Sequence, residues 1–455
     1  MTSPTRRLVL CLVALAALGG CGQESRALPP HIDAFTASPP DLLVGDTVEL
    51  LPEFTGTEAR IEPEVGAVLD GGRYRVGPFA SGRLYTLVVR HGDREVRRDL
   101  QLSLRYRHRL TNITPSGIAR VDHGAAVLPD GRVLVFGGRS PTHTPWVRTE
   151  LFDPATGAFT ETGEMPLTRT SPVWAGVSGA RVVVAGGETS SARRDEATAV
   201  LVWDPATGDW TSPGRLREFR FGNTATRLPV EGNVLLVAGG DFYLQSPERV
   251  SPVELFDVDT GESRLPAGKV VAARLMHTAT RLFDGRVLLA GGLDAFTNLE
   301  VGSAELYDPA TETFSRACTL AAERWAHGAA SLPDGRVLLA GGYALGGVTD
   351  TAELWDPTTG ECQATGSLFV PRADLRLVVL ATGEVLAVGG RDDAGQALAA
   401  VESWDPLTGV WSHRPSLPGN RVGHSVSVLH DGRVLILGGA GGSGAFPVQA
   451  AELYD

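Results

Sequence analysis

Apolar and polar positions along this chain fall into one recurrent phrase. "LPDGRVLVFGG" at 128–138 returns as "LFDGRVLLAGG" at 282–292 and "LPDGRVLLAGG" at 332–342. Each phrase holds a tight Asp-Gly turn, whose residues accept positive φ, followed by a short run of β-branched and aliphatic side chains. Each then closes on two glycines, where backbones crowd and a side chain has no room. The double glycine recurs at 137/138, 186/187, 239/240, 291/292, 341/342, 389/390 and 438/439, at intervals of 48 to 53 residues. After each comes an aromatic followed by aspartate: Phe152, Trp203, Phe256, Tyr307, Trp355, Trp404 and Tyr454. A second aromatic often follows (Phe159, Trp210, Phe314, Trp411), and an Arg-x-x-His phrase opens four of the units, at Arg120/His123, Arg274/His277, Arg324/His327 and Arg421/His424. Seven units of short strands at this period predict an all-β repeat architecture with one continuous core.

In these motifs the chain resembles kelch-repeat proteins over residues 105–455. The resemblance implies a seven-bladed β-propeller with four strands per blade. In such a ring the two aromatics fill the wide outer wedge between blades. The last unit stops at Asp455, after its third strand. Counting back thirteen residues from His123, the distance at which strand four precedes the His position in other units, lands on Leu110. Residues 106–112 are therefore expected to supply the missing outer strand and leave no open sheet edge between the ends.

Ahead of the repeats, residues 31–104 alternate apolar and polar in "TVELLPEF", "RYRVGPF", "LYTLVVR" and "DLQLSL". This stretch resembles bacterial immunoglobulin-like modules, which implies a small β-sandwich, here without a cysteine pair and held by packing alone. At the N-terminus, Arg6 and Arg7 precede "LVLCLVALAALGG", too short to span a bilayer but suited to a signal peptide. It runs into "LGGC", which resembles the bacterial lipobox. That resemblance implies a signal peptide over 1–20, lipidation of Cys21 and a tether over 21–30. Acyl chains would then anchor the protein in the cell envelope. Gly22 at the following position points to the outer membrane.

Composition adds less. Hydrophobic content of 43%, charged content of 21%, 55 glycines and 29 prolines suit a turn-rich globular chain. A net charge of −12 excludes nucleic-acid binding through a basic surface. With Cys11 in the signal and Cys21 lipidated, Cys318 and Cys362 remain. An exported compartment permits a bond between them. Matching side-chain parity on neighbouring outer strands, however, points them the same way rather than at each other.

Candidate chemistry lies in two places. Every unit carries the phrase's arginine, with Arg169, Arg220 and Arg372 in the units whose histidine is replaced. Six units carry a glutamate three residues before the aspartate: Glu150, Glu254, Glu305, Glu353, Glu402 and Glu452; the second has Leu201. Buried ion pairs between blades are one reading, strongly costly to break from one side. An arginine ring facing an anionic ligand near the central channel is the other, with Arg169 and Arg220, beside the unit lacking a glutamate, as its candidates. The four histidines belong to separate blades and are not expected to converge within the ~2.1 Å that zinc or copper needs. Galactose oxidase shares the seven-bladed ring and holds copper with Tyr and His ligands, a Tyr–Cys crosslink and a domain after the propeller. This sequence lacks that pattern, so no metal or cofactor is expected.

The second place is the variable stretch after each double glycine, which contains the strand 2–3 loop. That loop opens on the same rim as the strand 4–1 loop and offers Trp146, Arg193, Arg194, Phe242, Tyr243, Phe296, Tyr343 and Asp392 on a rigid scaffold. These features lead to a lipid-anchored recognition or scaffold protein that binds a protein or surface glycan through the loop rim. A propeller enzyme acting on a carbohydrate and a purely structural envelope component are the alternatives.

Overall fold

The structure, a computed structural model, describes residues 29–40, 42–79, 81–140, 142, 144–189, 194–241, 253–441 and 448–455. The signal-like segment, Cys21, Arg193, Phe242 and Tyr243 lie outside the described residues. Arg194 opens a short helical turn, Arg194–Ala197, without a described side chain.

The chain divides into two compact units. The smaller comprises residues up to 38, 49–74 and 84–100. Its four-stranded sheet runs Gly66–Ala67, Glu58–Glu62, Arg83–His91, Arg94–Leu102, and the strand His31–Ser38 pairs antiparallel with Val48–Thr55. Alternation along these strands buries Leu50, Ile61, Tyr85, Leu87 and Val89, as period-two patterning requires.

The larger unit is a seven-bladed β-propeller of four-stranded antiparallel sheets. Blade 1 is Gly124–Val127, Val133–Phe136, Thr149–Asp153 and Ala158–Thr162, and its strands pair in chain order. Blades 2 to 6 repeat that order, their first strands being Trp174–Gly176, Phe221–Arg227, Thr278–Arg281, Gly328–Ser331 and Arg376–Val379. Blade 7 takes Ser425–Val428, Val434–Leu437 and Ala451–Tyr454, and its fourth strand is Leu110–Asn112 from ahead of blade 1. Leu110 lies opposite Tyr454 and Asn112 opposite Glu452. Arg109 and Asp455 extend the ladder by exchanging both backbone bonds, at 3.0 and 3.1 Å.

The core lies between blades. Leu134 and Phe136 of blade 1 pack with Val182, Val184, Trp203 and Trp210 of blade 2, and comparable clusters follow around the ring. All seven third-strand aromatics are at most 1% exposed. The double glycines join one blade to the next. Both residues of each take positive φ, as at Gly137 (65°) and Gly138 (81°). The Gly138 N–H donates to the carbonyl of Arg169 in the next blade at 2.8 Å, and a Cβ on Gly137 would stand 2.5 Å from that oxygen. Only glycine satisfies both demands.

Cys318 and Cys362 form a disulfide, with Cα atoms 5.8 Å apart, which corrects the parity expectation. The strand Thr313–Thr319 carries a bulge: Glu305 pairs with Arg316, but Ala304 pairs with Cys318. Ala317 is the extra residue, and one extra residue turns every later side chain to the other face. Cys362 sits opposite Trp355, in the slot other blades fill with the second aromatic, so it points toward blade 4. The bond ties the outer strands of blades 4 and 5.

Candidate functional site

The arginines and glutamates form the scaffold behind the loop-bearing face. Glutamates on third strands meet the arginine at the start of the same unit: Arg220–Glu254 at 2.7 Å, Arg274–Glu305 at 2.6 Å, Arg324–Glu353 at 2.7 Å and Arg120–Glu150 at 3.5 Å. Arg372–Glu402 and Arg421–Glu452 are also paired, and no partner in the six is more than 3% exposed. Most of these glutamates also accept N–H groups of the strand 4–1 segment, such as Arg217 N to Glu254 and Ala321 N to Glu353, each at 2.7 Å. Burial pulls the Arg120 guanidinium down to about 10 and pushes the Glu150 carboxyl up. Each pair thus fixes a loop against its blade.

Arg169 is the exception. Leu201 occupies the register position of the glutamate, opposite Val184, and among the described residues Arg169 meets no carboxylate. It donates instead to the carbonyls of Thr168, Glu196 and Ala199 at 2.8–2.9 Å. Burial without a nearby acid brings it down to about 10. Arg169 and Arg220 are 0 and 1% exposed, so both sit behind the surface.

The four histidines lie in the seams between blades. His123 shares a hydrogen bond with Ser425 Oγ at 2.8 Å, His277 with Thr224 Oγ1 at 3.0 Å and His327 with Thr278 Oγ1 at 2.9 Å. Burial holds all four, His424 included, down at about 3.

Two residues after each arginine the chain turns inward. Asp122, Ser171, Gly222, Met276, Ala326, Asp374 and Gly423 all have φ between 47° and 69°. These residues hand a backbone bond from blade to blade around the channel: Asp122 N to Gly423 O, Ser171 N to Asp122 O, Met276 N to Gly222 O, Ala326 N to Met276 O and Asp374 N to Ala326 O. Across this annulus stand the residues just after the double glycines. Arg139 pairs with Asp122, and Arg391 Nε lies 2.7 Å from Asp374 Oδ2. In blade 5 the same slot holds Tyr343, stacked on Trp325 with ring centroids 4.4 Å apart and planes at 21°. Burial raises both the Asp374 carboxyl and the Tyr343 phenol.

Farther out on this face the loops differ in exposure. Trp146 is half-buried and donates its indole N–H to Ala119 O at 3.1 Å, and Asp392 accepts the Gln396 N–H at 2.8 Å. Phe296 is 43% exposed, Leu299 64% and Leu345 91%. Sequence reasoning named Tyr343 and Asp392 but missed Trp325, Asp374 and Arg391. The available signal was variation at the middle positions of the Arg-x-x-His phrase and just after the double glycine. On the opposite face a polar cleft of about 780 Å³ is lined by Arg107, Arg109, His430, Arg433 and Asp455. Its arginines are engaged by its own acids, Arg107 and Arg109 with Asp455 at 3.2 Å and Arg433 with Asp431 at 2.6 Å.

Comparison with known proteins agrees with this architecture. The Kelch motif model matches residues 376–418, which span blade 6. Among solved structures, a fungal alcohol oxidase of the AA5 family in complex with copper superposes with a TM-score of 0.61 at 17% identity, covering 76% of each chain. No curated protein matches. At that identity the likeness speaks for the fold, and the copper and the oxidation belong to the fungal protein. The residues here do not fit a copper centre. The histidines are held apart in separate seams, and Cys318 and Cys362 are bonded to each other. Among the described residues no three His, Cys, Asp or Glu side chains gather as metal ligands. The larger unit is a kelch-type seven-bladed β-propeller.

Proposed function

We propose that this is an exported recognition protein, lipid-anchored at Cys21 in the outer membrane, whose propeller binds a protein or surface glycan. The binding surface is the face bearing the strand 2–3 and 4–1 loops, and the immunoglobulin-like module is a spacer. One observation carries the reading. This face collects partly exposed aromatic and apolar groups (Trp325, Tyr343, Phe296, Leu299, Leu345) on loops braced by buried ion pairs, whereas the arginines of the cleft on the other face are paired with its own acids. Rigid scaffolds presenting variable aromatic loops are suited to recognition.

The anchor rests on "LGGC" at 18–21. Among the described residues no helix is long and apolar enough to cross a membrane. The carbohydrate-enzyme alternative draws on the same channel mouth, where burial raises the Asp374 carboxyl beside the Arg391 guanidinium that opposes that rise. Thermal shift of the full chain with envelope glycans and with membrane-protein fractions tests the proposal. A stabilising fraction should lose its effect when Trp146, Tyr343 and Leu345 are changed to Ala. A shift that survives all three changes contradicts it, and release of new reducing ends from the glycan moves the assignment to the enzyme.

A further inference from the structure

We propose that the channel mouth at blades 5 and 6 is a subsite for a neutral hexopyranose, with the sugar ring against the Trp325–Tyr343 stack and its hydroxyls held by Arg391 and Asp374. The proposal rests on the reading of the loop-bearing face as a recognition surface and names the ligand that face takes.

The site is built on backbone rather than on loose loops. Trp325 and Tyr343 exchange two backbone bonds at 3.0 and 2.9 Å, and the Asp374 N–H donates to Ala326 O at 2.9 Å, one residue from Trp325. Arg391 and Ala373 exchange another two, at 2.9 and 3.0 Å. The four residues are thereby held on neighbouring backbone segments joined by isolated β-bridges. The loop beyond Tyr343 is braced from blade 6 by Asp393, whose Oδ1 accepts the Val348 N–H at 3.1 Å.

What marks the site is what its polar atoms leave undone. Among the described residues, Tyr343 Oη, Trp325 Nε1, both terminal nitrogens of Arg391 and Asp374 Oδ1 make no hydrogen bond within the protein, and buried Arg391 Nε lies 2.7 Å from Asp374 Oδ2 as an ion pair without hydrogen-bond alignment. Both side chains remain about a third exposed, at 37 and 35%. The arrangement therefore presents an aromatic plane beside a fork that donates from one arm and accepts at the other.

Ligand chemistry follows from that combination. A pyranose has an apolar C–H face, which packs on an aromatic ring, and a rim of hydroxyls that both donate and accept. An anionic group would approach Arg391 past Asp374, Asp392 and Asp393, and a cation would meet Arg391 itself. A neutral polyol ring conflicts with neither.

The test titrates the full chain with methyl glycosides of glucose, galactose, mannose and N-acetylglucosamine, and with sorbitol, which has the hydroxyls without the ring. Binding is read by saturation-transfer NMR and tryptophan fluorescence. At least one pyranoside should bind with a millimolar Kd and sorbitol should not. Trp325→Ala, Tyr343→Ala and Arg391→Gln should each weaken it by about tenfold, and Leu407→Ala, at an exposed strand 3–4 turn away from this face, should not. If Tyr343→Ala fails to fold, Tyr343→Phe, which keeps the stack and loses the hydroxyl, and Arg391→Gln decide the matter. Absence of binding by every pyranoside, or binding that ignores these changes, overturns the sugar subsite. Loss of an envelope protein's binding on Leu345→Asp, with no pyranoside bound, would overturn the sugar while leaving the recognition face standing.

Discussion

Acid should unfold the propeller through its seam histidines, and the effect can be traced to one of them. His277 is buried and neutral, held at about 3 chiefly by loss of hydration, against about 6.5 in an unfolded chain. Above pH 6.5 both states are neutral and the residue makes no pH-dependent contribution. Between 6.5 and 3 only the unfolded chain takes up the proton, so stability falls as pH falls, and below 3 the penalty is complete. From pH 7 to pH 5 the loss works out at about 2 kcal/mol for one such histidine. With His123, His327 and His424 in the same condition, the sum approaches the whole stability of an ordinary domain. The informative change is His277→Asn, because blade 3 already carries Asn223 in this slot, donating to Ala185 O at 2.9 Å. Urea denaturation of both proteins at pH 7, 6 and 5, followed by tryptophan fluorescence, gives the comparison. The variant should lose about 1 kcal/mol at pH 7 with its bond to Thr224. It should then gain about 2 kcal/mol on the wild type by pH 5. Parallel loss of stability in the two proteins would refute the assignment of the acid response to buried neutral histidines.

Three further perturbations probe the ring. A chain beginning at residue 118 lacks the strand Leu110–Asn112 and its flanking bonds to Asp455; at about 1 kcal/mol per backbone bond it should lose several kcal/mol against a chain beginning at residue 105, and equal thermal midpoints would contradict the closure. Arg324→Met leaves Glu353 buried without its cation and should cost about 3–5 kcal/mol in urea titrations. Arg169→Met orphans no carboxylate and should cost about 1–2 kcal/mol; equal costs would deny the distinction. Reduction of Cys318–Cys362, which closes a span of 44 residues, should cost about 4 kcal/mol by chain entropy, measured as a denaturation-midpoint shift with and without dithiothreitol; an unchanged midpoint would count against the staple.

Much of the ring is legible in the sequence because its signals are local and repeated. The double glycines, the aromatic-aspartate pairs and the Asp-Gly turns each satisfy a backbone or packing demand within one blade. The arginine without an acid is likewise readable, since Leu201 breaks an otherwise regular column. The disulfide is not, because a bulge at Ala317 reverses the face on which Cys318 lies, and no composition signal marks it. The channel mouth is hidden for a different reason. Asp122 and Arg139 meet across seventeen residues, and Asp374 reaches Trp325 only through a left-handed turn handed on from the preceding blade. Those neighbours exist only once the ring has formed.

The most direct measurement is a crystal structure of the full chain soaked with the pyranoside that binds best. Ligand density is expected on the loop-bearing face, against Trp325 and Tyr343 and within hydrogen-bond reach of Arg391. Density confined to the opposite face, in the cleft beside Arg107 and Arg433, would contradict it.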